Sequence, residues 1–85
     1  MSWGDRSGRI DHHGPEYVWA QIANDIRHDI ESGALPAGAK LPGGPELAEI
    51  YGVAKATAAR AIKALRDEGL VTVVFGRGTF VTHQG

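Results

Sequence analysis

The side chains best able to do chemistry are basic ones near the C-terminal end. Residues 50–85 hold Lys55, Arg60, Lys63, Arg66 and Arg77 against only Asp67 and Glu68, a net +3. Residues 1–49 hold four Lys/Arg against eight Asp/Glu, a net −4. A chain polarised in this way suits an anionic partner at its basic part. Arg77 stands alone between Gly76 and Gly78, flanked by the strand-forming runs of Val73–Phe75 and Thr79–Val81. Such a stretch is either a tight turn capped by a soluble residue or a probe that touches something outside the protein. The overall balance argues the other way, because a net charge of −1 and a pI near 6.4 are not a basic footprint.

Other chemistries find little support. The histidines lie at positions 12, 13, 28 and 83, with no cysteine and no nucleophile–base spacing. His12 and His13 alone make a poor metal site, since zinc ordinarily takes three or four protein ligands. "GRGTF" lacks the Gly-Lys-Ser/Thr ending and following helix of a phosphate-binding loop. No catalytic residue, cofactor or metal is therefore expected. The 85 residues allow one domain with a modest core. No apolar run nears the roughly 20 residues that span a bilayer, and no signal-peptide stretch begins the chain. The expectation is a soluble cytoplasmic domain.

The elements that would position these cations follow from periodicity. Residues 1–14 mix Gly, Ser, Asp and Arg without a repeat and are expected to form a flexible tail, with Arg6 and Arg9 solvated. From Pro15 a helical pattern begins. Val18, Trp19, Ile22, Ile26 and Ile30 make one apolar stripe, and Gly33 supplies a C-terminal cap. Trp19, on that stripe, reads as core, and His28 as surface. "ALPAGAKLPGGP" reads as an extended connector in which Lys40-Leu41 forms a short strand. Pro45 fits the first turn of a second helix, whose buried side is Leu47, Ala48, Ile50 and Tyr51. Gly52 ends it. A third helix is expected over 55–68, buried through Ala58, Ala61, Ile62 and Leu65, with Lys55, Arg60, Lys63 and Arg66 off that stripe. Strands over 70–75 and 79–82 complete the chain.

Helix, short turn with glycine, helix is the helix-turn-helix arrangement. Three helices and a C-terminal β-hairpin make a mainly α winged helix-turn-helix with a small antiparallel wing. The domain is expected over 15–82, with a C-terminal tail at 83–85. At this point "QIANDIRHDIESGALPAGAKLP", "ELAEIYGVAKATAARAIKALRDEGLV" and "GRGTFV" together resemble the DNA-binding domain of GntR-type bacterial transcription regulators. The likeness runs from about Val18 to Val81. It implies a repressor reading operator DNA as a homodimer, with the third helix in the major groove and the hairpin tip at the adjacent minor groove. By position it assigns DNA contacts to Lys40, Lys55, Thr57, Gly76 and Arg77; Arg60 is added from its charge and helix face, and Ala56, Ala59 and Gly78 complete the candidate DNA-binding set. Family members usually carry a larger C-terminal domain for a metabolite, so no effector ligand is expected within this chain.

The departures from the family pattern are specific. Gly43-Gly44-Pro45 replaces Ser-Glu and a variable, often arginine, position after "LP". Ala54 replaces a Ser or Thr cap, Ala59 an arginine, and Phe75 a polar residue before the wing glycine. A missing bidentate arginine–guanine pair forfeits roughly 1–3 kcal/mol of discrimination. An unusual operator, recognition by shape and phosphates, or low affinity would each follow. These same departures, with the acidic first half, define the alternative: a winged-helix protein-interaction module with weak or lost DNA binding.

Overall fold

The computed structural model describes residues 3–82. Its elements, after a single 3₁₀ turn at Ser7–Arg9, are α1 (Val18–Glu31), β1 (Lys40–Leu41), α2 (Gly44–Tyr51), α3 (Lys55–Asp67), β2 (Val71–Val74) and β3 (Gly78–Val81). The expected tail at 83–85 lies outside the described residues. Among the described residues no helix is long and apolar enough to cross a membrane.

Helix α1 buries the stripe read from the sequence. Ile22, Ala23, Ile26 and Ile30 are buried, while Val18 and Trp19 are only partly covered. The helix starts at Val18, later than the pattern from Pro15 suggested. The reason is local: the Gln21 side-chain amide donates to the Glu16 and Asp11 carbonyls at 2.9 and 2.8 Å, holding this segment in a non-helical path. Pro45 does occupy the first turn of α2, and Gly52 ends that helix in the left-handed region at φ 65°. Tyr51, at the end of α2, is completely buried, as are Leu47 and, from α3, Ala58, Ala61 and Leu65. Ile50 and Ile62, expected on buried faces, are only partly covered. Both α1 and α2 pack on α3, so the domain's centre is the inner face of α3.

The sheet has the order β1–β3–β2, antiparallel throughout. Leu41 pairs with Thr79, and Val71 with Val81. Leu41, Val71, Thr79 and Val81 are buried, so the base of the sheet seals the core. From Thr72 to Arg77 every residue is exposed, and the hairpin projects into solvent.

Residues 3–14 do not stand away from the domain as a tail would. The Arg6 backbone N–H donates to the Ile50 carbonyl at 2.8 Å. Its side chain is not solvated but 3 % exposed. One guanidinium nitrogen donates to Asp29 (2.8 Å), Asp25 (3.0 Å) and the Tyr51 hydroxyl (3.2 Å), and the group stacks over Trp3 at 4.3 Å. Tyr51 in turn donates to Asp25 at 2.7 Å. Arg9 remains exposed but bonds both Asp25 carboxylate oxygens at 3.1 Å. The N-terminal segment is thus fastened to α1 and to the end of α2 by a buried cation that satisfies two carboxylates.

That cluster sets the charge states around it. Burial opposes ionisation of Asp25, but the Tyr51 hydroxyl and the Arg9 and Arg6 guanidiniums outweigh it and hold the carboxyl below its usual range. Burial, reinforced by the hydrogen bond to Asp25, pushes the Tyr51 phenol well above its usual range. Two acids and two arginines of the first half thus cancel one another in place, and neither arginine is left to meet an outside anion.

Candidate nucleic-acid interface

The positions singled out in the sequence fall into two groups on separate elements. The first is the N-terminal half of α3. Ala54 is its N-cap, with extended backbone and no side-chain capping bond, because alanine has no acceptor to offer. Lys55, Ala56, Ala59 and Arg60 are exposed, and Thr57 is half-buried. Ala58, between them, points into the core. The Thr57 and Ala58 N–H groups donate to the Ala54 carbonyl at 3.1 Å, so the helix offers the N–H groups of Lys55 and Ala56, the positive end of its dipole, and an exposed face of small residues edged by two cations.

The cations along α3 are not equivalent. Towards the C-terminal end, Lys63 and Arg66 each lie 3.9 Å from Asp67. Lys55 and Arg60 form no ion pair among the described residues. Cations with no carboxylate neighbour among the described residues thus sit at the N-terminal half of the helix, while the two at the other end share one. Arg60 is held by a contact of another kind: its guanidinium lies 4.8 Å over the Trp19 ring. Beside this pair runs an open groove of about 640 Å³, lined by Trp19, Ala56, Ala59, Arg60 and Lys63 among others. Trp19, expected in the core, is only partly buried. Its place at the edge of the α1 stripe, rather than the centre, was the available sign that one face would remain free to stack on a cation.

The second group is the wing. Lys40 on β1 faces Phe80 across the ladder, and its stem crosses over Gly78. A Cβ at Gly78 would lie 2.9 Å from Lys40 Cε, so glycine here gives the lysine its path to the tip. The turn is closed by the Arg77 N–H donating to the Val74 carbonyl at 2.9 Å, with Gly76 at φ 78°. A positive φ at the third position, after a residue with negative φ, is the type II pattern that selects glycine. Arg77 is exposed and, like Lys40, forms no ion pair among the described residues. Phe75, which precedes the turn glycine, is fully exposed at 101 %. The structure thus brings Lys40 to Gly78 on the wing and Arg60 to Trp19 on the helix face.

This geometry suits a polyanion: free N–H groups and cations at a helix start, and cations on a slim hairpin. No group of three or more metal-ligating side chains occurs among the described residues. Comparison with known proteins agrees with that chemistry. Residues 19–81 match the family model described as "Bacterial regulatory proteins, gntR family". The HTH-type transcriptional repressor NagR of Bacillus subtilis (strain 168) is 34 % identical over 73 residues, 86 % of this chain and 30 % of its own. YtrA from Sulfolobus acidocaldarius, a GntR-family transcription factor, superposes with a TM-score of 0.82 at 36 % identity, over 89 % of this chain and 80 % of its own. The DNA-binding domain of AraR, in complex with operator ORX1, superposes at 0.75 with 32 % identity, over 86 % of this chain and 94 % of that one. The chain spans a third or less of the length of the curated relatives it matches.

Proposed function

Because the chain belongs to the GntR family of bacterial regulatory proteins, we infer that it binds double-stranded operator DNA and regulates transcription. The family is one of transcriptional regulators, not enzymes, and the fold is its winged helix-turn-helix. The N-terminal half of α3 enters the major groove, where base edges carry a distinguishing pattern of donors and acceptors. Lys55 reads or clamps at the mouth of the groove, and Thr57 offers a hydroxyl one turn in. Ala56 and Ala59 permit close approach and meet thymine methyl groups. Arg60, stacked on Trp19, reaches the flanking phosphates.

At the wing, Gly76 and Gly78 let the backbone approach the minor groove, Arg77 enters it, and Lys40 holds a phosphate beside it. The observation that carries this reading is the distribution of unpaired charge. Lys40, Lys55, Arg60 and Arg77 are without carboxylate partners among the described residues, while Lys63 and Arg66 lie near Asp67 and Arg6, Arg9 and Arg27 each pair with an acid. Kinship with NagR supports repression as the output. A homodimer on a two-fold operator, with half-sites about one helical turn apart, completes the proposal, and its place of action is the bacterial cytoplasm.

A selection from randomised duplexes tests this reading. One enriched sequence class, retained less as salt rises, is the expected result. No enrichment and no salt-sensitive retention would transfer the fold to a protein-interaction role.

A further inference from the structure

Phe75 takes no part in the contacts assigned to the wing. It occupies the second position of the wing turn, which any residue with negative φ fills and which proline favours, so the turn does not demand an aromatic ring. Among the described residues nothing covers that ring, which is 101 % exposed. It ends a run in which Val73 and Val74 are also exposed, at 49 % and 38 %. Consecutive exposed apolar residues on an edge strand are a liability in water unless a partner uses them, and β2 is one of the two edge strands of this sheet.

The surroundings of the ring indicate the partner. Gly76 and Gly78 add no bulk beside it, and Arg77 and the Lys40 stem complete the tip. No carboxylate pairs with either cation among the described residues. An aromatic ring with two unneutralised cations on a slim hairpin fits a polyanion whose interior is apolar and stackable. A second copy of this tip would instead bring like charges together. The DNA minor groove is about 6 Å wide, attracts basic side chains where it narrows, and accepts phenylalanine as a wedge between base steps.

We propose that Phe75 is a minor-groove wedge, which partly unstacks one base step beside Arg77 and bends the bound DNA. The inference rests on the DNA-binding reading above and deepens it. Because pyrimidine–purine steps unstack most readily, the wing selects such a step through deformability. Selection of this kind supplies discrimination that Ala59 does not provide through hydrogen bonds.

The test uses the duplex enriched by selection, with the wing's position mapped by hydroxyl-radical footprinting and 2-aminopurine placed at each adenine beneath it. Wild-type protein should raise the fluorescence at one step and bend the duplex by roughly 20–90°, read by circular permutation. Phe75→Gln should abolish both signals, with affinity reduced by about tenfold or less and the melting temperature unchanged. Phe75→Leu, which keeps an apolar wedge, should retain most of the bend. Salt-sensitive binding by wild type with flat fluorescence and a straight duplex would overturn the wedge and leave the DNA-binding reading intact. Failure of wild type to retain any duplex would overturn both. A DNA-free dimer in sedimentation that Phe75→Gln dissolves would assign the ring to a second copy and overturn the wedge.

Discussion

Replacing Arg6 with methionine separates a docked N-terminal segment from a solvated one. Methionine keeps much of the apolar stem and removes the guanidinium. Asp25 would retain Arg9 and the Tyr51 hydroxyl. Asp29 would lose its cation while its side chain remains only 12 % exposed. Breaking a fully buried pair from one side costs about 3–5 kcal/mol. Residual water at Asp29 and at Asp25, 12 % and 22 % exposed, lowers the expected cost to about 2–3 kcal/mol. In a domain of this size that corresponds to a fall in melting temperature of roughly 10–20 °C. Thermal and urea melts followed by far-UV circular dichroism at pH 7 would measure it. The double variant Arg6→Met/Asp29→Asn should recover part of the loss, because an amide leaves no uncompensated charge. A melting temperature for Arg6→Met within about 3 °C of wild type would refute the argument, since a 2–3 kcal/mol loss cannot hide in so small a shift.

The remaining predictions concern acid, capping and the proposed DNA contacts. Asp25 has a lowered pKa in the folded protein, so its contribution is present above the ordinary value of 3.8 and is lost as pH falls through the lower folded one. Melting temperature should therefore be nearly flat from about pH 7 to 5 and drop below about pH 4, less steeply in Asp25→Asn. Tyr51 is shifted the other way, so an alkaline decline should begin as pH passes its ordinary value of 10.0. Ala54→Ser supplies the missing side-chain acceptor at the start of α3, within reach of the Ala56 N–H, and should stabilise by about 0.5–2 kcal/mol, visible as a higher urea midpoint. Lys55→Ala should change the sequence preference of bound duplexes as well as affinity, whereas Lys40→Ala should weaken all duplexes about equally in competitive binding. An unaltered preference in Lys55→Ala would remove α3 from the major groove.

Much of the scaffold was legible because it is written locally. The step of four between Ile22, Ile26 and Ile30, Pro45 early in α2, and Gly52 at its end each act within a turn or two of helix. The short strand at Lys40-Leu41 and the hairpin around Gly76 and Gly78 were legible for the same reason. The docking of Arg6 was not. Its side-chain partners Asp25, Asp29 and Tyr51 lie far along the chain, and a Gly- and Ser-rich stretch without periodicity carries no local trace of them. The Trp19–Arg60 stack escaped notice for a related reason, since it depends on how α1 crosses α3. Net charge misled because pairing in space decides which charges remain free. Asp25 and Asp29 pair with Arg6 and Arg9 and leave the total at −1, while Lys40, Lys55, Arg60 and Arg77 have no carboxylate partner among the described residues.

The central claim, that Lys40, Lys55, Arg60 and Arg77 are the cations that engage DNA, is tested most directly by the salt dependence of binding to the selected duplex. Each phosphate neutralised contributes about −0.9 to the slope of log affinity against log salt, so four contacts predict a slope near −3.6 per protomer. Removing any one of the four should make the slope shallower by about 0.9, while removing Lys63 or Arg66, which lie near Asp67, should leave it nearly unchanged. A slope near zero, or one altered more by Lys63 and Arg66 than by those four, would contradict it.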